Sequence, residues 1–224
     1  STAASLDYGV KHLGIKLLVV LGHQCCGAVK AAQLPSDAIA GETPPLASLL
    51  ADIKKGLGEL PQLDEAAAHD RNAVSTNVRV QVAAMAASPV YAAKIAAAEL
   101  KIVGAFYEMA TGTVHFLEDD KTVDECVECN AAAAERDASL TPDEVLLRLK
   151  AGNERYCKNE PGKPPLSLNE KQALTVTQKP LVGLLSCADS RVPVELIFGA
   201  GPGDLFIARN AGNVFAPSTA ASLD

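Results

Sequence analysis

Apolar positions along the chain fall into short dense runs, separated by longer stretches in which they recur at helical spacing. Lys16–Leu21 (KLLVVL) is continuous and β-branched and ends at Gly22, which predicts a fully buried strand of a parallel sheet. Leu181–Leu185 and Leu205–Ala208 are similar runs bounded by glycine or proline, and they predict two more such strands. Lys101–Tyr107 (KIVGAFY) and Thr113–Leu117 (TVHFL) flank a turn at Thr111 and Gly112, which predicts a hairpin and a strand-rich edge. A helix is expected over Cys26–Gln33, a loop over Pro35–Pro45, and alanine-rich helices over Leu46–Leu57, Val74–Ala87 and Tyr91–Leu100. Thr141 begins another helix, with Pro142 at its first position and Glu144 as capping-box partner; it should run through Val145–Tyr156 and end before Pro161–Pro165. This alternation predicts an α/β fold with a central, mainly parallel sheet flanked by helices.

The segment between the two periodic regions is different. Glu118–Ala138 is acidic and alanine-rich without sustained strand character, and residues 118–140 are the expected linker between 1–117 and 141–224. The heptapeptide Ser1–Asp7 (STAASLD) also recurs unchanged as Ser218–Asp224. Running Asp224 into Tyr8 gives STAASLDYGVKHLG, which has helical spacing and a serine and threonine at its start for capping. Three origins fit: a unit cut from tandem copies of a repeat of about 217 residues, an engineered circular permutant, or a window on a longer polymer. Tandem copies are preferred, because a designer has little reason to duplicate a heptapeptide.

With 224 residues and 48% hydrophobic content, the chain can bury one substantial core. A formal charge of -7 without a lysine or arginine cluster argues against nucleic-acid binding. The longest apolar runs are too short to span a bilayer, and no basic region followed by an apolar stretch opens the sequence, so membrane insertion is not expected. The six cysteines are Cys25, Cys26, Cys126, Cys129, Cys157 and Cys187. A domain of this size needs no disulfide framework, so thiols near histidine and aspartate read better as ligands or nucleophiles, favouring the cytoplasm or another reducing compartment.

All three predicted parallel strands end in polar, chemically capable residues. Cys187, Asp189 and Arg191 lie in SCADSR after one strand, and His23 and Cys26 lie in GHQCCGA after another. Strand ends are where open α/β sheets bind ligands. Taken singly, such a histidine or cysteine is ordinarily a packing residue; together, two thiolates and an imidazole suit zinc and leave a fourth tetrahedral position open. Cys126 and Cys129 form a lone CxxC in the expected linker, a weak motif open to a second half-site, a redox pair or an intersubunit disulfide. Cys157 is expected to pack at a helix end.

The stretches SCADSRVPVELIF, GDLFIARNAGN and VVLGHQCCGAVKAA resemble the three signatures of β-class carbonic anhydrases. AGNERY, PLASLL and NVRVQVAAMAASPV leading into LKIVGAFYEMATGTVHFL extend the likeness over most of the chain except the linker. In that family the SCADSR segment precedes the GHQCCGA segment; here the order is reversed, and joining Asp224 to Tyr8 restores it. The resemblance implies the family's fold, a mainly parallel sheet with an antiparallel edge strand. It also implies zinc held by Cys187, His23 and Cys26, with Cys25 outside the ligand set. Asp189 would accept a hydrogen bond from the zinc water, and Arg191 would hold that carboxylate off the metal. Phe206 would help form the carbon dioxide pocket, with plain core packing as its alternative.

The implied activity is reversible hydration of carbon dioxide to bicarbonate and a proton by zinc-generated hydroxide, favoured at mildly alkaline pH because two thiolates offset the metal's charge. Alternatives are hydrolysis of carbonyl sulfide or carbon disulfide on the same fold, and a scaffold of tandem units forming a polymer. The family's bicarbonate regulation uses a tryptophan, which this sequence lacks. The resemblance further implies a homo-dimer or higher homo-oligomer.

Overall fold

A computed structural model describes residues 2–117, 140–160, 162–163, 166–167, 169–170, 173–174 and 177–215. Residues 118–139, which hold nearly all of the expected linker with Cys126 and Cys129, lie outside the described residues, as does the repeated heptapeptide at 218–224.

The described strands are β1 (Leu17–His23), β2 (Lys101–Glu108), β3 (Thr113–Phe116), β4 (Val182–Cys187) and β5 (Leu205–Asn210). They form one sheet in the order β3-β2-β1-β4-β5. β1 runs parallel to both β2 and β4, and β4 runs parallel to β5. Only β3 is antiparallel, paired to β2 through the predicted hairpin. Every residue of β1 and β4 is buried, because helices cover both faces, which explains why their sequences are apolar without alternation. Strands from 1–117 and from 141–224 thus share one sheet, and the chain leaves β1 towards β2 but leaves β4 towards β5. Their carboxyl ends therefore meet at a point where the topology switches direction.

The helices are α1 (Thr2–His12), α2 (Gly27–Ala32), α3 (Ser36–Ala40), α4 (Pro44–Leu57), α5 (Ala66–Ala86), α6 (Pro89–Ala96), α7 (Pro142–Cys157) and α8 (Val194–Ile197). On one face of the sheet, Leu17, Val19, Leu21, Val103 and Leu184 pack with Val145 and Leu149 of α7 and with Val194 and Ile197 of α8. On the other, Leu18, Val20 and Leu185 meet Leu6 and Val10 of α1 and Val78 and Met85 of α5. Gly22 allows α5 to approach this closely: a Cβ there would lie 2.7 Å from both Val74 and Val78. None of the described helices is long and apolar enough to cross a membrane.

Two differences from the sequence reading have local causes. The expected loop at Pro35–Pro45 contains α3, a short turn that hides Ile39 in the α2/α4 cluster. α5 starts at Ala66 rather than Val74, because its first two turns hold only alanine and polar residues and carry little of the apolar periodicity that marks the rest. The capping box of α7 forms as its sequence predicts: Glu144 N–H donates to Thr141 Oγ1 (3.3 Å), and Thr141 N–H donates to the Glu144 carboxylate (2.7 Å).

α7 also carries a buried junction. Asn153 accepts from Val114 N–H (2.8 Å) and donates to the carbonyls of Gly112 (2.8 Å) and Ile197 (3.1 Å), tying the hairpin to α8. Beside it, a Cβ on Gly152 would collide with the Phe198 carbonyl oxygen. Gly152→Ala is therefore expected to lower the melting temperature by roughly 5–10 °C, since the obstacle is backbone and cannot rotate away. Thermal unfolding followed by circular dichroism checks this; an unchanged midpoint would mean the junction is looser than described.

Candidate metal centre

β1 ends on His23, and a tight turn through Gln24 and Cys25 delivers Cys26 to the start of α2. Gln24 N–H donates to the Tyr107 carbonyl on β2 (2.9 Å), and Cys25 N–H donates to Asp70 Oδ2 on α5 (2.9 Å). Cys25 adopts φ 55°, a left-handed conformation rare for a side chain this size, so these two anchors hold a strained turn. The strain reverses the chain within two residues and leaves Cys25 exposed while Cys26 is buried.

Cys187 arrives from β4, next to β1 in the sheet. One ligand atom from each of His23, Cys26 and Cys187 lies within 4.8 Å of the others, and all three residues are buried. His23 Nδ1 lies 3.0 Å from the Gln24 carbonyl and donates to it, which leaves Nε2 as the ring nitrogen available to the cluster. That Nε2 is buried without a hydrogen-bond partner among the described residues. A buried imidazole nitrogen with nothing to accept from, facing two thiols, is what a soft divalent cation would satisfy. The donor set fits zinc: three protein ligands, sulfur and nitrogen, with one position left for an exchangeable group.

The thiols respond to each other. The Cys187 thiol is pulled down by the hydrogen bond from Cys26 and, secondarily, by His23, against the effect of burial. The Cys26 thiol is pushed up by the same bond and by its own burial. Without a cation the pair retains a proton; a cation would displace it.

Asp189 and Arg191 sit at the rim. Arg191 donates from Nε to Asp189 Oδ1 (3.0 Å), from Nη2 to Oδ2 (2.7 Å), and from its backbone N–H to Oδ1 (2.9 Å). Asp189 Oδ2 in turn lies 4.0 Å from His23 Nε2. The guanidinium holds the Asp189 carboxyl well below the usual carboxylate range, outweighing the opposite effect of partial burial. Asp189 is thus an anion beside the cluster, held by a bidentate clamp.

Two residues that the sequence did not single out complete the frame. Arg209, in the GDLFIARNAGN stretch, donates from Nε to the Cys187 carbonyl (2.8 Å) and from Nη2 to the Asp189 carbonyl (2.6 Å). Asp70 anchors the strained turn from a helix far away in sequence. Their signals were available only as a charged residue inside an apolar strand pattern and a polar turn ahead of a periodic helix.

Phe206 lies elsewhere. It is level with Gly183, near the start of β4, whereas Cys187 is level with Asn210. Its ring faces α1, close to Gly9 and with its centroid 6.4 Å from that of Tyr8. Within one chain it does not join the cluster. Cys157 is half-buried at the end of α7, with its sulfur 3.7 Å from Thr113 Oγ1.

The family model described as Carbonic anhydrase matches residues 1–114 and 182–224, well over half the chain. Among curated proteins, Carbonic anhydrase 2 of Mycobacterium tuberculosis is 41% identical over 86 residues, 38% of this chain and 42% of that protein. A carbonic anhydrase of Helicobacter pylori is 30% identical over 120 residues, 51% of this chain and 54% of that protein. The chain therefore spans about half or less of the length of these relatives. Among solved structures, a Coccomyxa β-carbonic anhydrase in complex with acetazolamide is 30% identical with a TM-score of 0.42, covering 50% of this chain and 51% of that one.

Proposed function

Because the chain belongs to the carbonic anhydrase family, we propose that it catalyses the reversible hydration of carbon dioxide to bicarbonate and a proton in the β-class manner, with zinc held by Cys187 Sγ, His23 Nε2 and Cys26 Sγ. The observation that carries this reading is the convergence of those three buried residues beside an aspartate that an arginine clamps. Bound there, zinc would supply the Lewis acidity that makes water nucleophilic near neutral pH.

The chain's own groups set the rest. Asp189 Oδ2 is an acceptor close to the cluster, so it would take a hydrogen bond from the attacking water and fix the direction of its lone pair. Arg191 keeps that carboxylate from occupying the open position itself. Arg209 fixes the backbone of both Cys187 and Asp189, and Asp70 fixes the turn that presents Cys26. The catalytic unit is thus assembled from 1–117 and 141–224, and we place it in a homo-oligomer of at least two chains.

Since Asp189 is held ionised by Arg191, its role as acceptor persists from neutral into mildly acid solution, and activity lost there reflects proton gain elsewhere in the site. Two thiolate ligands offset the cation's charge, so hydration should rise towards mildly alkaline pH. Stopped-flow hydration of carbon dioxide by zinc-loaded chain tests the proposal. Rate proportional to bound zinc and rising between about pH 7 and 9 is expected; a chain with one zinc per molecule and no hydration above buffer would remove it.

A further inference from the structure

Away from the metal centre, a cleft of about 580 Å³ opens between α5 and the edge strand β3. From α5 it is lined by Arg71, Asn72, Ser75 and Arg79, whose spacing puts them on one face of the helix, and from β3 by His115. Arg71 is steadied over the Phe106 ring, 5.1 Å from its centroid. Asn72 Nδ2 and His115 Nε2 are both buried without a hydrogen-bond partner among the described residues. Glu108 lies 3.8 Å from His115 Nε2, accepts a hydrogen bond from Thr111 (2.6 Å) and also feels the charge of Arg71. A chain with formal charge -7 therefore gathers two guanidiniums and two unmet nitrogen donors around one hollow.

We propose that this cleft is a second ligand site, one that binds a small oxyanion carrying two negative charges, either a phosphate group or a dicarboxylate. Two planar guanidinium forks match the paired oxygens of both groups, and two such charges balance the two arginines. The buried amide and imidazole nitrogens would supply further donors and lose their unmet desolvation cost. Leu117, just past β3, gives the cleft an apolar edge for a carbon body, and the volume suits a small metabolite rather than an ion alone. The site shares α5 with Asp70 but uses none of the residues placed at the metal centre.

Isothermal titration calorimetry of the zinc-loaded full chain tests this, with inorganic phosphate and succinate as probes at low ionic strength. Saturable binding of at least one probe is expected, weakened at least about tenfold in R71Q/R79Q at unchanged zinc content. Phosphate alone binding assigns the phosphate class, and succinate alone assigns the dicarboxylate. No saturable binding of either probe overturns the proposal. So does equal binding by R71Q/R79Q, because the anion would then sit at the metal centre or elsewhere. Since Arg71 also packs on Phe106, R79Q and R71K/R79K serve if the double glutamine variant does not fold. Both should bind at least about threefold more weakly than the parent chain, and undiminished affinity in both contradicts the site.

Discussion

Cys187→Ser should purify with almost no zinc and hydrate carbon dioxide no faster than buffer. On the proposed reading Cys187 is one of three protein ligands, Asp189 beside it is held by Arg191, and the Cys187 thiol already lies low because Cys26 and His23 favour its ionised form. Binding energies of structural zinc sites shared among their ligands imply that losing one thiolate weakens affinity by about 100-fold or more. The serine oxygen is harder, less readily ionised and shorter in reach, so it does not substitute. Zinc content by elemental analysis and activity measured on one preparation give the answer. Full zinc occupancy in Cys187→Ser would show that the metal sits elsewhere. Circular dichroism should stay native, since β4 is held by parallel pairing on both sides.

The second large effect concerns the clamp. Arg191→Ala removes two side-chain hydrogen bonds from Asp189 and leaves only the backbone N–H. With its Oδ2 only 4.0 Å from His23 Nε2, the freed carboxylate can turn inward and occupy the fourth position. Hydration should fall about 10- to 100-fold with zinc retained, and Asp189→Asn should fall similarly because an amide cannot accept in the same way. Arg191→Ala should also change the response to acid. In the parent chain Asp189 has a depressed pKa, so the stability it contributes is present above the ordinary carboxylate range and is lost only as pH falls through that lowered value. In Arg191→Ala this acid-side reserve shrinks, and acid unfolding should begin at higher pH than in the parent. Arg191→Ala with full activity would mean the clamp is ornamental.

How much of this was readable from residues alone varied with the range of the interaction. β1 and β4 were legible because burial on both faces leaves a continuous apolar run, and the α7 start was legible because capping is settled within four residues. The grouping of His23, Cys26 and Cys187, which could hold a metal, was legible through their residue types and the strand ends that carry them. Asp70 and Arg209 were not, since each acts on backbone atoms distant in sequence, and nothing in a local pattern marks a side chain for a particular carbonyl or N–H. Phe206 shows the opposite difficulty. Its apolar character was plain, but its level along β5 depends on register with β4, which places it under α1. The basic cleft was hidden for a similar reason, because Arg71 and Arg79 become neighbours of His115 only once β3 folds back beside α5.

Anomalous diffraction at the zinc absorption edge, on crystals of the metal-loaded chain, locates the ion directly. One peak is expected at about 2.3 Å from the sulfurs of Cys26 and Cys187 and about 2.0 Å from His23 Nε2, with the Asp189 carboxylate outside bonding range. A peak bound to any other set of side chains, or none at this position in a zinc-replete crystal, would contradict the assignment of this site.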